Sequence, residues 1–311
     1  MTVIKGTEFD VFPLNLGGNT FGWTSDREAT FAVLDAFVEA GGNFVDTADS
    51  YSAWAPGNEG GESEREIGAW IKKNGADKLI IATKSGALEA VAGRSREATF
   101  QAVEGSLERL GVESIDIFYY HYDDEAVSID EQVAIANDLI AEGKIKHLAL
   151  SNYTPQRLAE FFEKSEGTPA QPVALQPHYN LLARKDYEND IQPLVDQYSV
   201  AVFPYFSLAA GLLTGKYTSK EDIAGKARAG QLEGYATDEA FAVVSELVAV
   251  AKELNAAPTT VALAWLLAHG VTAPIASVSK VEQLADLLAV KDLTLSEEHV
   301  ARLDKASQSF A

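Results

Sequence analysis

Short apolar runs alternate with amphipathic stretches along nearly the whole chain. Residues 43–46 and 79–84 illustrate the runs, because each combines apolar side chains with a polar residue at its end. Residues 62–73 and 95–110 illustrate the stretches between runs, where apolar positions recur at helical spacing. This alternation is typical of a parallel sheet whose strands are connected by helices.

Eight of the apolar runs are predicted to be strands, at residues 12–16, 43–46, 79–84, 115–121, 145–151, 173–176, 200–205 and 272–277. Helices are predicted at residues 26–40, 62–73, 95–110, 128–142, 155–166, 188–198, 238–254, 258–269, 280–289 and 296–308. A long glycine-rich loop, residues 207–236, follows the seventh strand, and the final helix is additional to the eight repeats. The pattern predicts a single (β/α)8 barrel domain over residues 1–311. The alternative fold, a doubly wound sheet, would usually carry a Gly-x-Gly-x-x-Gly turn after a strand, and the sequence has none.

The composition narrows the class of protein. The formal net charge is −21, from 46 acidic against 25 basic residues, so the surface should repel nucleic acid and anionic membranes. The sequence has no cysteine, which excludes disulfides and a thiol nucleophile. No apolar run approaches the ~20 residues of a membrane helix, and the first residues do not resemble a signal peptide. We therefore expect a soluble cytoplasmic protein. The five histidines are scattered, so a metal site is not expected.

Polar residues stand at the ends of three predicted strands. Asp46 ends the second strand and Tyr51 follows it, Lys84 ends the third strand, and His121 ends the fourth. In a parallel barrel the carboxyl ends of the strands share one face, where active sites lie. Each of the four residues alone would more often have a structural role, but together they favour catalysis.

Further motifs occur in a fixed order around these four residues. They are Val45-Asp46-Thr47-Ala48 with Tyr51, Glu62-Ser63-Glu64, Ala82-Thr83-Lys84, Tyr120-His121, Leu150-Ser151-Asn152-Tyr153, Leu175-Gln176, the segment 211–217 and the segment 279–284. In order and spacing they resemble the aldo-keto reductases, and the resemblance covers essentially the whole chain.

The resemblance implies reduction of a carbonyl group by hydride transfer from a nicotinamide cofactor. Tyr51 would donate the proton, and the cationic Lys84 would lower the pKa of its phenol. Asp46 would pair with Lys84, which keeps the charge of a partly buried ammonium from standing alone. His121 would hydrogen-bond the substrate oxygen.

The resemblance also implies a set of cofactor contacts. Ser151, Asn152 and Gln176 would bind the carboxamide, and Tyr205 would stack on the nicotinamide ring. The residues of the loop that would cover the pyrophosphate are Ser207, Leu208, Gly211, Leu213 and Lys216. The residues that would hold the adenosine ribose with its 2′-phosphate and the adenine are Ser279, Lys280 and Gln283, so NADP(H) is expected rather than NAD(H). Ser277 and Leu287 depart from the glycine and asparagine usual in this segment.

Aromatic residues are expected to wall the substrate pocket. Trp23 and Trp54 lie in predicted loops, and Phe206 stands at a strand end. Such walls suit apolar or aromatic aldehydes and ketones. The expected partner is therefore a small carbonyl compound or its alcohol.

Three alternatives remain at this point. One is an aldolase that uses Lys84 as a Schiff-base amine. Another is a redox-sensing subunit that keeps the fold and the cofactor, like relatives that are attached to channels. The third lies within the family, since members with glutamate in place of His121 reduce activated carbon–carbon double bonds; the histidine favours carbonyl chemistry.

Overall fold

A computed structural model describes residues 1–223 and 229–311, without the side chains of Ala229 and Glu233. Its strands are β1 (Thr2–Val3), β2 (Asp10–Val11), β3 (Asn15–Gly17), β4 (Phe44–Asp46), β5 (Ile80–Ser85), β6 (Ile115–Tyr120), β7 (Ile145–Ser151), β8 (Ala174–Gln176), β9 (Ala201–Val202) and β10 (Ile275–Ala276). Strands β3 to β10 form one parallel sheet in the order β10-β3-β4-β5-β6-β7-β8-β9. The sheet curls round until Thr272 N donates to the Val202 carbonyl at 3.0 Å and Ile275 N to the Pro204 carbonyl at 3.1 Å. The predicted (β/α)8 barrel is confirmed.

Helices lie between and after these strands. They are α1 (Arg27–Glu39), α2 (Glu62–Asn74), α3 (Arg96–Leu110), α4 (Ile129–Ala141), α5 (Pro155–Ser165), α6 (Gln192–Tyr198), α7 (Ala229–Glu233), α8 (Asp238–Glu253), α9 (Pro258–Ala268), α10 (Leu284–Leu288) and α11 (Glu297–Ala306). Short 3₁₀ turns occur at Ala76–Lys78, Glu89–Val91, Ala209–Thr214, Lys220–Asp222, Val281–Gln283, Ala289–Asp292 and Gln308–Phe310. Within the described ranges, no helix is both long and apolar enough to cross a membrane.

Most of the long helices begin where the sequence provides a capping residue. Asp26 accepts a hydrogen bond from Ala29 N at the start of α1. Side chains that cap helices in the same way are Ser95, Ser128, Thr154, Thr237 and Ser296. Each such bond satisfies an amide that has no partner within the helix. For these helices the predicted and observed bounds agree within two residues.

The predicted strands at 200–205 and 272–277 are both too long. Pro204 and Pro274 lack the amide hydrogen that a regular ladder needs, so the ladders are shortened to β9 and β10. Individual hydrogen bonds continue beyond them, such as that from Phe203 N to the Leu175 carbonyl at 3.0 Å. Tyr205 lies beyond β9, where a single bridge pairs it with His178.

Three other predicted elements are interrupted. The helix expected at 188–198 begins with a π-helical turn, Tyr187–Ile191, before α6. The helix expected at 280–289 is divided into a 3₁₀ turn and α10. The loop expected at 207–236 contains two 3₁₀ turns and α7, and its residues 224–228 lie outside the described residues.

Each strand of the barrel sheet, β3 to β10, has buried residues on both of its faces. Phe44, Ile117 and Phe203 point into the barrel, together with five alanines at 82, 149, 174, 201 and 273. Val45 and Phe118, at alternate positions, pack against the surrounding helices. Two buried faces explain why the strands read as nearly continuous apolar runs.

An antiparallel hairpin, β1 and β2, closes the amino-terminal end of the barrel and was not predicted. Phe9 is 7% exposed and belongs to the same apolar cluster as the barrel interior. Asn43, just before β4, accepts from Phe12 N at 2.9 Å and donates to the Asp10 carbonyl at 2.8 Å. With this end closed, the polar strand ends of the opposite face surround the barrel mouth.

Candidate active site

An ion pair between Asp46 and Lys84 forms the centre of a cluster at the carboxyl ends of the strands. Lys84 Nζ lies 2.6 Å from Asp46 Oδ2, and neither side chain is exposed. The ammonium also donates to the Thr47 carbonyl and to the Tyr51 hydroxyl, each at 2.8 Å. Burial lowers the pKa of Lys84, whereas the charge of Asp46 acts in the opposite direction. The pair holds a basic group against the phenol of Tyr51.

Tyr51 places its hydroxyl over this pair. The hydroxyl donates to Asp46 Oδ2 at 3.1 Å, and Lys84 Nζ lies 4.4 Å from the centre of the ring. Burial raises the pKa of Tyr51 well above its ordinary value, and the neighbouring carboxylate of Asp46 adds to the increase. Burial and the carboxylate therefore dominate the pKa of Tyr51, and the lowering by Lys84 remains a prediction. The phenol is protonated at neutral pH.

His121 follows β6 directly, with its ring 6.4 Å from the ring of Tyr51. Burial, with the charges of Lys84 and Arg94, holds the pKa of His121 well below its ordinary value, so the imidazole is neutral. Its Nδ1 is buried and has no hydrogen-bond partner in the described part of the chain. A neutral imidazole beside the phenol can bond a ligand oxygen without carrying a charge.

The three residues expected to bind a carboxamide lie together at the ends of β7 and β8. Gln176 Nε2 donates to Asp46 Oδ1 at 2.9 Å, and Ser151 Oγ donates to the Gln176 carbonyl at 2.8 Å. Asn152 Nδ2 donates to the His121 carbonyl at 2.8 Å, and the Asn152 backbone has a φ of 55°. The amide groups are thus bonded directly to the cluster around Asp46.

Tyr205 extends the same surface. Its hydroxyl donates to Asn152 Oδ1 at 3.0 Å, and its ring stacks on His178 with centroids 5.2 Å apart and planes 12° apart. Ser151, Asn152, Gln176 and Tyr205 all line one cavity of about 280 Å³. An aromatic ring and amide side chains therefore share one recess. It lies beside the Asp46–Lys84 pair, since its lining extends to Leu158 and Ile191 and includes neither member of the pair.

The loop expected to cover a pyrophosphate folds back on itself. The Leu208 carbonyl accepts from Gly211 N at 2.8 Å and from Leu213 N at 3.2 Å. The Ser207 hydroxyl is buried and donates to a main-chain carbonyl, while the Leu213 side chain packs in the core. Gly211 has a φ of +101°, and a Cβ there would lie 3.5 Å from Lys216 Nζ. Lys216 therefore places a positive charge beside the turn.

The segment after β10 is held to the loop after β3. Thr24 Oγ1 and Ser279 Oγ lie 2.8 Å apart, and Ser25 Oγ donates to the Ser279 carbonyl at 3.1 Å. Gln283 Oε1 accepts from Ser279 N at 2.9 Å and from Lys280 N at 3.2 Å. The amides expected to bind a phosphate are thus bonded to Gln283, which an anion would have to displace.

The two positions that depart from the expected pattern have structural roles. A Cβ on Gly17 would lie 2.3 Å from Ser277 Oγ, so the serine packs directly against β3. Leu287 is 2% exposed and lies in the hydrophobic core. The leucine cannot offer the polar contact expected of an asparagine at that position.

Trp23 and Trp54 lie together beside Tyr51. Their ring centroids are 5.6 Å apart with perpendicular planes, and Trp54 lies 6.1 Å from the Tyr51 ring. Trp54 is 52% exposed, and Phe206 is 39% exposed on the side of Tyr205. Apolar rings thus border the mouth on two sides.

Sequence reasoning missed two aromatic contacts of this site. Tyr122 stacks on His121 with centroids 4.8 Å apart, and His178 stacks on Tyr205. Tyr122 is half-exposed at the rim of the barrel mouth. Its position next to His121 in the sequence could have indicated that it belongs to the site. The sequence around His178 does not indicate this contact, because its stacking partner Tyr205 follows a different strand. No group of three or more potential metal ligands occurs among residues 1–223 and 229–311.

Comparison with known proteins identifies the family. A family model described as "Aldo/keto reductase family" matches residues 13–308 of this chain. The NADP(+) aryl-alcohol dehydrogenase of Phanerodontia chrysosporium is 31% identical over 96% of this chain and 83% of its own length. Norsolorinic acid reductase of Aspergillus flavus is 29% identical over 95% of this chain and 78% of its own length. The probable voltage-gated potassium channel subunit beta of Oryza sativa subsp. japonica is 28% identical over 93% of this chain and 90% of its own length. With a match over nearly its whole length and a barrel fold, this chain belongs to the aldo/keto reductase family.

Proposed function

We propose that this protein reduces aldehydes or ketones to alcohols, with Tyr51 as the proton donor. The observation that carries the proposal is the contact between the Tyr51 hydroxyl, Lys84 Nζ and Asp46 Oδ2 at the mouth of the barrel. A carbonyl oxygen gains negative charge as it accepts a hydride, and it needs a proton donor positioned next to it. The phenol of Tyr51 is such a donor.

The surrounding residues have complementary roles in this proposal. Lys84 stabilises the phenolate that forms when Tyr51 gives up its proton, because an opposite charge within ~4–6 Å favours the ionised form. Asp46 holds the ammonium in place through its 2.6 Å contact. Neutral His121 hydrogen-bonds the substrate oxygen and orients it toward the phenol. The burial that raises the pKa of Tyr51 also keeps it protonated until the substrate arrives.

The residues of the recess suit a nicotinamide cofactor. Asn152 and Gln176 present amide groups that are complementary to a carboxamide, and the ring of Tyr205 offers a flat apolar surface within the same cavity. A bound reduced nicotinamide would supply the hydride. Ser151 would fix the amide orientation through its bond to the Gln176 carbonyl.

NADP(H) is the proposed form of the cofactor. Lys216 beside Gly211 and the exposed Lys280 supply local positive charge on a protein whose net charge is −21. The aryl-alcohol dehydrogenase relative is named for NADP(+). We propose that phosphate binding at Ser279 and Lys280 displaces the Gln283 side chain, which then faces the adenine.

Aromatic or other apolar carbonyl compounds are the proposed substrates. Trp23, Trp54 and Phe206 border the mouth with apolar rings. One relative is named for an aryl alcohol and another for norsolorinic acid, and both names describe dehydrogenase or reductase activity. An aryl aldehyde would place its ring among these side chains and its oxygen at Tyr51.

The proposal is tested by the oxidation of NADPH, with NADH in parallel, against a panel of aryl and alkyl aldehydes and ketones. Wild type is expected to oxidise NADPH with a lower KM than NADH. Tyr51→Phe should lower kcat about 100-fold or more while cofactor binding is retained, because it removes the proton donor. Tyr198→Phe makes the same change in α6, outside the site, and should leave kcat unchanged. Full activity in Tyr51→Phe would contradict the assignment of the acid.

A redox-sensing subunit is the second candidate function. It is favoured by the similarity to the probable potassium channel subunit beta over 93% of the chain. Tight NADPH binding with no turnover of any carbonyl in the panel would support this function instead.

The Schiff-base aldolase has less support. An amine nucleophile must be neutral, whereas Lys84 Nζ donates three hydrogen bonds, to Asp46, Thr47 and Tyr51. Borohydride trapping of a carbonyl compound on Lys84 would favour the aldolase over both other functions.

A further inference from the structure

A second buried acid, Asp49, lies beneath the candidate active site. Asp49 follows β4, and its amide donates to the Lys84 carbonyl at 3.0 Å. Its side chain is fully buried, and neither carboxyl oxygen has a hydrogen-bond partner among residues 1–223 and 229–311. The amide of Gly86 approaches it, but not with hydrogen-bond geometry. A buried carboxyl without partners is costly, so it calls for a functional explanation.

Four charged groups from different elements interact with the Asp49 carboxyl. Lys84 comes from β5, Arg94 from the segment after β5, Glu64 from α2 and Arg109 from α3. Glu64 is itself satisfied, since it accepts from Thr83 Oγ1 at 2.6 Å and from Arg109 Nε at 2.7 Å. Its charge therefore remains on the network and opposes a second negative charge on Asp49.

Arg94 is a second buried cation of this network. Its side chain is 1% exposed, and its guanidinium donates to the Ser85 carbonyl and, at 3.4 Å, to Ser85 Oγ. Its Nε has no partner in the described part of the chain. A Cβ on Gly86 would lie 1.3 Å from Arg94 Nη2, so the guanidinium occupies space that only a glycine leaves open. Arg94 and Asp49 are thus buried opposite charges that do not bond directly.

The ionisation of Asp49 adds one negative charge to this network. Asp46 and Glu64 already pair with Lys84 and Arg109, and Asp124 also acts on Arg94. Burial first, and then the charge of Glu64, raise the pKa of Asp49 to about 7, against the opposing charges of Arg109 and Arg94. The charge of the network therefore changes by one unit near neutral pH.

We propose that Asp49 is a positioning residue that tunes the proton donor through Lys84, and that its ionisation weakens the acidity of Tyr51. This inference rests on the proposed function. When Asp49 is protonated, it does not offset the charge of Lys84, which favours the developing phenolate; when Asp49 ionises, its charge opposes that of Lys84. The rate of carbonyl reduction should therefore fall as the pH rises through the titration of Asp49.

The first test is the pH profile of kcat for carbonyl reduction at saturating NADPH. Wild type is expected to lose activity on the order of three-fold between about pH 6 and pH 8, the effect of one buried charge on its neighbours. Asp49→Asn should keep the low-pH rate throughout, because the amide cannot ionise. Glu59→Gln removes the same charge from an exposed position in the same loop and should retain the wild-type profile. An unchanged decline in Asp49→Asn would overturn the proposal.

A second measurement does not depend on turnover. Carbon-13 NMR of labelled aspartate side chains, with Asp49→Asn to assign the signal, gives the titration midpoint of Asp49 in the intact protein. A midpoint near neutral pH supports the proposal, and a midpoint near that of a free aspartate overturns it. If wild type reduces no carbonyl compound but Asp49 titrates near neutral pH, the proposed function has failed and the charge network stands.

Discussion

The three hydrogen bonds of the Lys84 ammonium explain how a lysine can be fully buried at the centre of the barrel mouth. Asp46 supplies the opposite charge, and Thr47 and Tyr51 accept the remaining two hydrogens. Because every donor is used, the desolvation cost of the cation is offset locally. The same bonds fix the position of the Tyr51 hydroxyl. Stability and the proposed proton transfer therefore depend on one set of contacts.

Asp49 should make the stability of the protein depend on pH. In the unfolded chain its carboxyl ionises near pH 4, but in the folded protein it keeps its proton up to about pH 7. Keeping the Asp49 carboxyl protonated therefore lowers the free energy of unfolding. This loss grows as the pH rises between these two values and is constant above them. Asp49→Asn should raise the free energy of unfolding by up to about 4 kcal/mol at pH 8 and by much less at pH 4.

Urea unfolding of wild type and Asp49→Asn at several pH values measures this difference. The exposed Glu59→Gln variant serves as the control and should show no such dependence. A gain in Asp49→Asn that is the same at low and high pH would mean that the Asp49 carboxyl does not titrate as described.

Individual residues were predictable where chemistry and strand ends coincide. Asp46, Lys84 and His121 each end a predicted strand, and the structure brings them together with Tyr51. The direction of the Tyr51 pKa shift was not predictable, because burial depends on the packing of neighbouring loops. Asp49 was overlooked for a similar reason. In the polar run from Asp46 to Ser50, the sequence does not indicate which side chain points inward.

At the scale of elements, the two ends of the barrel differ in role: one carries the candidate active site and the other is closed by packing. The mouth gathers polar strand ends, whereas the opposite end is closed by the hairpin of β1 and β2. Phe9 packs into the barrel interior, and its ring lies 5.5 Å from that of His147 on β7. This end should therefore contribute to stability rather than to chemistry.

Phe9→Ala tests this division. Removing the ring opens a cavity at the base of the barrel, so the free energy of unfolding should fall by about 3 kcal/mol. The kinetic constants of the folded enzyme should be unchanged, because no group at the mouth is altered. Denaturant unfolding and steady-state kinetics on the same samples measure both quantities. Val3→Ala, at a position 66% exposed in the same hairpin, is the control and should change neither. A large loss of kcat in Phe9→Ala at temperatures where it is folded would contradict the division.

Helices were the elements best predicted from sequence. Caps such as Asp26 and Ser95 mark where they begin, and their apolar spacing is long enough to recognise. Short strands were predicted less well, since β9 and β10 have two residues each; Pro204 follows β9 closely, and Pro274 directly precedes β10. The hairpin was missed because two-residue strands show no alternation of polar and apolar positions. Its pairing depends on a barrel that is distant in sequence.

At the scale of the whole molecule, the excess of acidic residues is a constraint on both folding and binding. With a net charge of −21, the acidic side chains of the folded protein repel one another and also repel an anionic cofactor. The eightfold repeat made the barrel predictable from sequence. Charge alone did not indicate where the local positive positions lie, because Lys216 depends on the turn at Gly211 for its placement.

Salt should therefore affect stability and cofactor binding in opposite directions. Raising NaCl from about 0.05 M to about 0.5 M shortens the screening length from more than ~10 Å to a few ångströms, which weakens the self-repulsion and should raise Tm. The same screening weakens both the attraction to Lys216 and Lys280 and the repulsion by the net charge. Because the lysines lie closest to the phosphates in the proposed complex, the loss of attraction is expected to dominate, and the Kd for NADPH should increase. Thermal scans and fluorescence titrations measure the two effects. A neutral osmolyte at equal osmolality is the control. A Tm that falls with NaCl would show that ion pairs outweigh the net charge.

The hairpin at the base of the barrel also constrains the order in which the protein is made. Glu8 bonds to His147 across 139 positions of sequence. During synthesis the hairpin leaves the ribosome long before the second half of the barrel exists, so Phe9 has nowhere to pack. It can dock only once the later strands have closed the ring. The hairpin is then synthesised before the barrel strands but is among the last segments to pack. Its resistance to proteases would indicate that all of the barrel strands are in place.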